Sequence, residues 1–232
     1  IASATNCPSQ NVARHWPRIV DQLELCGIND RPTQTAMAAT IGIETASTFL
    51  PVREAFWLDE EWRAANLRYH PFYGRGFIQL TWLSNYRTYS AKINELWNAG
   101  GAIDLVARPD DALDPDISAA VSALYFRDHG GDGLARIPAA ARIGNWAEVR
   151  RLVQGGDAGL DRLVAIATTL DAIKEPGAMP DPTKVTFNAQ TPAVIQDDAW
   201  SCAPTSLTWA MRALGRNPAP TFIENDMLRL GL

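Results

Sequence analysis

The sequence predicts a mainly α-helical protein with a small β element and a short helical appendage at the C-terminal end. Three observations carry that expectation. Several long stretches repeat apolar residues at the three-to-four spacing of one helix face. One turn-rich, β-prone run interrupts them. A proline-rich break beginning at residue 175 then sets the C-terminal end apart from the rest.

Residues 12–26 carry Val12, Trp16, Ile19, Val20 and Leu23 on one stripe. Residues 32–47 give a second helix: Pro32 suits a first turn, and Met37, Ile41 and Glu44 fall near one face. Then Tyr73-Gly74-Arg75-Gly76 is turn-rich, and Phe77-Ile78-Gln79-Leu80-Thr81-Trp82 is short with high β propensity. That combination predicts one or two small strands at the mouth of a cleft. Residues 84–96 return to helix. Residues 114–128 form another, with Ile117, Val121, Leu124 and Tyr125 on one face, Asp114 or Asp116 as its cap and Gly130-Gly131 as its stop. Residues 145–153, ended by Gly155-Gly156, and residues 160–174 complete the set.

Composition excludes some functions. Hydrophobic residues make up 47% of the 232-residue chain and charged residues 20%, an ordinary globular balance. The apolar runs are far shorter than the ~20 residues a membrane span needs. Net charge is −5 and no basic stripe runs along any face, which argues against a nucleic-acid partner. His15, His70 and His129 are isolated, so neither a metal nor another cofactor is expected. Cys7, Cys26 and Cys202 are an odd number; Cys7 and Cys26 flank one helical pattern, and whether they pair is open. Eight Trp serve core packing or the stacking of sugar rings. Residue 1 is Ile, so the chain is expected to be processed or cut from something longer.

Glu44 is the residue whose surroundings suggest chemistry. It lies near the C-terminal end of its expected helix, where the macrodipole disfavours an anion, and Ile41, Ile43 and Phe49 around it are apolar. Both effects suit a general acid that must hold its proton, as glycoside hydrolysis requires of one of its two carboxyl groups. A glutamate that caps or pairs within a core is the competing reading.

Ile43-Glu44-Thr45, Phe49-Leu50-Pro51-Val52-Arg53-Glu54, Phe72-Tyr73-Gly74-Arg75-Gly76-Phe77-Ile78-Gln79-Leu80-Thr81 and Asn85-Tyr86 follow one another in that order. This text resembles the family 19 glycoside hydrolases, the plant-type chitinases, and still more their relatives among phage endolysins. The similarity resumes at Leu152-Val153-Gln154-Gly155-Gly156 and Gly159-Leu160-Asp161-Arg162, and spans roughly residues 10–175. The resemblance implies a lysozyme-like, bilobal helical domain with its β element at the cleft. It implies Glu44 as general acid, Glu54 as general base and Thr81 as the hydroxyl that helps hold the attacking water. Asp59, Glu60 and Glu61 lie on the same segment and compete for the base role. Tyr73, Gln79, Asn85, Gln154 and Arg162 are implied as substrate-binding residues, and Arg75 as a structural residue tied to a carboxylate. Gly74 and Gly76 are expected at tight backbone turns. Ile43 stands where the plant enzymes carry His, Gln154 where they carry Asn, and their long loops are missing. A shorter, more open cleft suits a bulky cross-linked polymer.

The expected organisation is a glycoside hydrolase domain over 1–175, a Pro-rich linker over 176–194 and a partial cysteine-peptidase-like segment over 195–232. In the last, Gln196 precedes Cys202, and Cys202-Ala203-Pro204 opens a helical pattern. A Cys at a helix N-terminus has a lowered thiol pKa, and a nearby Gln can supply an oxyanion donor. The segment resembles the start of a bacteriocin-processing-type, papain-like peptidase, but no His follows Cys202, so its site is incomplete and a buried structural Cys is the alternative. The functions in view are cleavage of β-1,4 bonds in peptidoglycan by an inverting hydrolase, a chitinase, a lytic transglycosylase, and a wall-binding module attached to a peptidase. The expected partner is peptidoglycan or chitin, the expected state a monomer, and the expected location outside the cell or at the bacterial wall.

Overall fold

The computed structural model describes residues 1–129 and 134–173, which fall in the first of the chain's two units, Ile1–Ile173 and Lys174–Leu232. The expected linker and peptidase-like segment, with Gln196 and Cys202, lie outside the described residues, as does Gly130-Gly131. The described chain runs α1 (Ala2–Thr5), α2 (Ser9–Leu25), α3 (Arg31–Glu44), β1 (Val52–Arg53), α4 (Glu60–Asn66), β2 (Arg75–Gly76) and α5 (Leu83–Leu96). A 3-10 turn (Pro109–Leu113), α6 (Pro115–Asp128), α7 (Arg136–Arg142), α8 (Trp146–Gln154) and α9 (Leu160–Ala172) follow. The fold is mainly α-helical with one small sheet, in which β1 pairs antiparallel with β2, Val52 opposite Gly76 and Arg53 opposite Arg75.

Local chemistry explains the helix starts. Asp30 accepts from Thr33 N at 3.0 Å and Pro32 fills the first turn of α3. Asp114 accepts from Asp116 N and Ile117 N ahead of Pro115, and Asn145 accepts from Glu148 N to start α8. Helix α3 is the hub. Its small residues Ala36, Ala38, Ala39 and Gly42 are buried, and α1, α7, α8 and α9 close on it, while α2 and α5 pack against α6.

The structure departs from the sequence reading in three places. Helix α3 stops at Glu44 rather than running to residue 47. The Thr45 hydroxyl donates to Ile41 O at 2.7 Å and accepts from Phe49 N at 3.0 Å, and Ala46, Ser47 and Phe49 take positive φ. Residues 77–82 are a tight turn, not a strand. Arg75 and Leu80 exchange backbone hydrogen bonds across it, and Gln79 sits at φ +55. The Gln79 amide then donates to Val52 O and Gly76 O, both at 3.0 Å, so a side chain supplies what a third strand would have. Helices α1, α4 and α7 were not expected, because four to seven residues are too few to print an apolar stripe. Cys7 and Cys26 are both free and buried.

Candidate active site

The C-terminal end of α3, strand β1 with the turn after it, the 78–82 turn, and the last turns of α6 and α8 line one cleft of about 750 Å³. Among the described residues, Glu44 and Glu54 are the two carboxylates in its lining.

Glu44 is the last residue of α3. Ile43 and Tyr125 supply apolar surface beside it, but the other neighbour is a cation. Arg150 Nη1 donates to Glu44 Oε1 at 2.5 Å, and its guanidinium is only 5% exposed. Arg150 Nε donates to Ala158 O at 2.6 Å, which fixes the fork. Among the described residues no hydrogen bond reaches Glu44 Oε2. Burial, with the Glu44 charge nearby, pushes the Tyr125 phenol up to about 12. His129 stacks on that ring at 4.5 Å, and burial followed by Arg136 lowers its pKa below the ordinary histidine value.

Glu54 follows β1 directly and is clasped by Gly74. Glu54 N donates to Gly74 O at 2.7 Å, and Gly74 N returns a bond to Glu54 Oε2 at 3.0 Å. Tyr69 donates its hydroxyl to Glu54 Oε1 at 2.7 Å, and burial together with that bond raises the phenol to about 12. Gly74 is needed for space. A Cβ there would stand 2.8 Å from Gln79 Oε1 and 3.3 Å from Glu54 Oε2. Gly76 needs both space and backbone freedom, with φ +83 and a Cβ position 2.5 Å from Ser118 Oγ.

The other residues singled out in the sequence divide into two groups. Thr81, Gln79, Asn85 and Gln154 all line the cleft. Thr81 Oγ1 donates to Gln79 O at 2.8 Å, which leaves its oxygen free to accept, and Asn85 Nδ2 donates to Thr81 O at 2.8 Å. Tyr73 corrects the expectation, and Arg162 is not among the lining residues. Tyr73 is 0% exposed, gives its hydroxyl to Glu60 Oε2 and lies under the Arg75 guanidinium, so no sugar reaches it. Arg162 donates to Gly42 O and Ser47 Oγ, fastening α9 to the end of α3 outside the cleft. Arg75 is structural, as expected. It is bound to Asp110 at 2.8 Å and to the Pro71 and Tyr73 carbonyls.

Asp59, Glu60 and Glu61 do not line the cleft. Asp59 caps α4 through Trp62 N, and Glu60 is taken by Arg63, Tyr73 and His70. Sequence reasoning missed Arg150 and Tyr69. Arg150 left a signal, for it stands in the apolar stripe of Trp146, Val149 and Val153, where a cation calls for a buried anion. Tyr69 left none. No group of three or more His, Cys, Asp or Glu that could hold a metal occurs among the described residues, and none of their helices is long and apolar enough to cross a membrane.

No protein-family model matches the chain, and no curated protein matches it. Among solved structures, it is similar to a chitinase C mutant with a TM-score of 0.48 and 17% identity, over 72% of this chain and 91% of that one. It is also similar to chitinase C from Streptomyces griseus HUT6037, with a TM-score of 0.45 and 19% identity over 70% of this chain and 66% of that one. At this level neither bears on the chemistry of the cleft.

Proposed function

We propose that the chain is a glycoside hydrolase that cleaves β-1,4 bonds of peptidoglycan glycan strands with inversion, using Glu44 as general acid and Glu54 as general base. The observation that carries this reading is the pair of carboxylates in one open cleft, held by two different sets of partners. Glycoside hydrolysis by inversion needs one carboxyl to protonate the leaving oxygen and another to deprotonate a water on the opposite face of the sugar. Arg150 fixes Glu44 Oε1, and the second oxygen, which takes no hydrogen bond among the described residues, is the one on which the proton is carried. Glu54 accepts two donors, Tyr69 and Gly74, which suits a group that works as an anion. The Thr81 hydroxyl spends its proton on Gln79 O, so toward the cleft it is an acceptor. A water that donates one hydrogen to Glu54 and the other to Thr81 keeps its lone pair for the anomeric carbon. The open cleft favours a cross-linked wall polymer over packed chitin chains.

The test is digestion of purified murein and, in parallel, of colloidal chitin, with products read by mass spectrometry and their anomers by NMR in the first minutes. Reducing-end products from murein that begin as the α-anomer support the reading. A β-anomer would mean retention and would remove Glu54 from water activation. A 1,6-anhydro product would mean a transglycosylase, and cleavage of chitin alone would move the substrate.

A further inference from the structure

The turn that follows Glu54 exposes two aromatic rings that the acid–base chemistry does not use. Phe56 and Trp57 both line the cleft, with Phe56 42% and Trp57 69% exposed. Their ring centroids are 5.1 Å apart at an interplanar angle of 77°. Large apolar rings left open to water at a turn tip are a cost to the free protein, and a patch of them marks a place where something docks.

The turn is built to hold them there. Leu58 N donates to Ala55 O at 2.9 Å, and Ala55 takes φ +48, a conformation that L residues avoid. Arg63 of α4 reaches back underneath. Its Nη1 donates to Ala55 O at 3.0 Å and to Leu58 O at 2.7 Å, while Nε is held by Glu60 at 3.0 Å. The guanidinium is nearly buried, and it ties both ends of the turn to one rigid group. Strained backbone persists only where its surroundings over-determine it, and such places concentrate at ligand clamps.

We propose that Phe56 and Trp57 form a sugar-stacking subsite on the Glu54 side of the cleft, which takes the apolar face of a 2-acetamido pyranose. The subsite rests on the reading of the cleft as a glycan-cleaving site. A β-linked pyranose carries its polar groups around its equator and C–H bonds on its faces, so a face packs on an indole while the edge stays wet. The second ring, set nearly perpendicular, closes one side of the platform and fixes how far along the strand the sugar sits. Glu54 is two residues from Phe56, so a sugar seated on the platform is registered against the base. The same chemistry comes from chitin and from the glycan of peptidoglycan, and both are probed.

The experiment measures binding by calorimetry in the Glu44→Gln background, with chitohexaose and with peptide-free murein glycan strands as probes. Trp57→Ala is expected to weaken binding about tenfold, the scale of one lost aromatic stacking contact. Trp57→Phe is expected to recover most of it, because a ring is restored. Trp57 lies on the surface, so thermal melting of the variants is expected to stay at the parent value, and a loss of binding with melting unchanged belongs to the contact. A loss confined to one probe keeps the subsite and names its source. Equal affinities of Trp57→Ala and its parent for both probes overturn the subsite while leaving the hydrolase standing, if the wild-type protein cuts either polymer. Weakened binding by Trp57→Ala, together with a wild-type protein that cuts neither polymer, keeps the subsite and sinks the hydrolase. No binding of either probe by the parent sinks both.

Discussion

At the scale of single residues, the cleft turns on how each carboxylate is held. Glu44→Gln keeps an acceptor for Arg150 but removes the transferable proton. Turnover of murein, followed by reducing-end release, is expected to fall ~10²-fold or more, the usual contribution of a general acid. Retention of near wild-type turnover would take Glu44 out of that role. Thermal melting separates this from collapse, since the Gln side chain still meets the nearly buried guanidinium. The positions of Glu44, Glu54, Thr81, Gln79, Asn85 and Gln154 in one cleft follow the order of the motifs in the chain. Tyr73 was misjudged because a motif names residues without saying which way they face, and its side chain faces into the protein's own hydrogen-bond network. Arg150 was legible only as a misplaced charge on an apolar stripe, and Tyr69 not at all, since its bond to Glu54 joins parts of the chain that no local pattern links.

At the scale of elements, the two-residue strands matter more than their length suggests. Gly76 is where β2 runs against the start of α6. Phe77 N donates to Ser118 Oγ at 2.7 Å, and a Cβ on Gly76 would lie 2.5 Å from that oxygen and 2.9 Å from Ala112 O. Gly76→Ala combines left-handed backbone strain with overpacking, and it is expected to cost about 3 kcal/mol. Chemical denaturation reads this as a lower midpoint with the slope unchanged. A midpoint equal to wild type would mean that the 75–80 turn relaxes freely. The long helices were readable because start signals and stripes agree over three or more turns, as at Pro32 and Asp114. The 77–82 turn was misread as strand because β-branched and aromatic content does not encode the left-handed φ at Gln79.

At the scale of the whole molecule, buried histidine sets an acid limit to stability. His15 of α2 lies against Phe77, with neither ring nitrogen bonded among the described residues, and is surrounded by Arg14, Arg18 and Asp116. Burial, then Arg18 and Arg14, lowers its pKa, so the unfolded chain takes up a proton there before the folded one does. The stability from neutral His15 is complete above about pH 6.5, the ordinary histidine value, and is lost as pH falls through its lowered folded value. His129, lowered by burial and Arg136, acts in the same direction. Carboxylates held low, such as Asp128 beside Arg127 or Asp110 between Arg53 and Arg75 against the opposing effect of burial, lose their contribution only in more acidic solution. Melting scans at pH 7.5 and pH 5 are therefore expected to show a smaller drop for His15→Phe than for wild type, and equal drops would remove His15 from the effect. Glu54 and Gly74 grip each other twice, which has a bearing on adaptation. Everything between them is a closed excursion whose two ends are pinned together at the chemistry. Doubling the length of such an excursion adds only about 0.6 kcal/mol of closure entropy. Its outer stretch, beyond the end of α4 at Asn66 and short of Tyr69, is thus a natural graft point, where new walls can be spliced on to suit polymers of other girth without disturbing Arg63 or the carboxylate at its root.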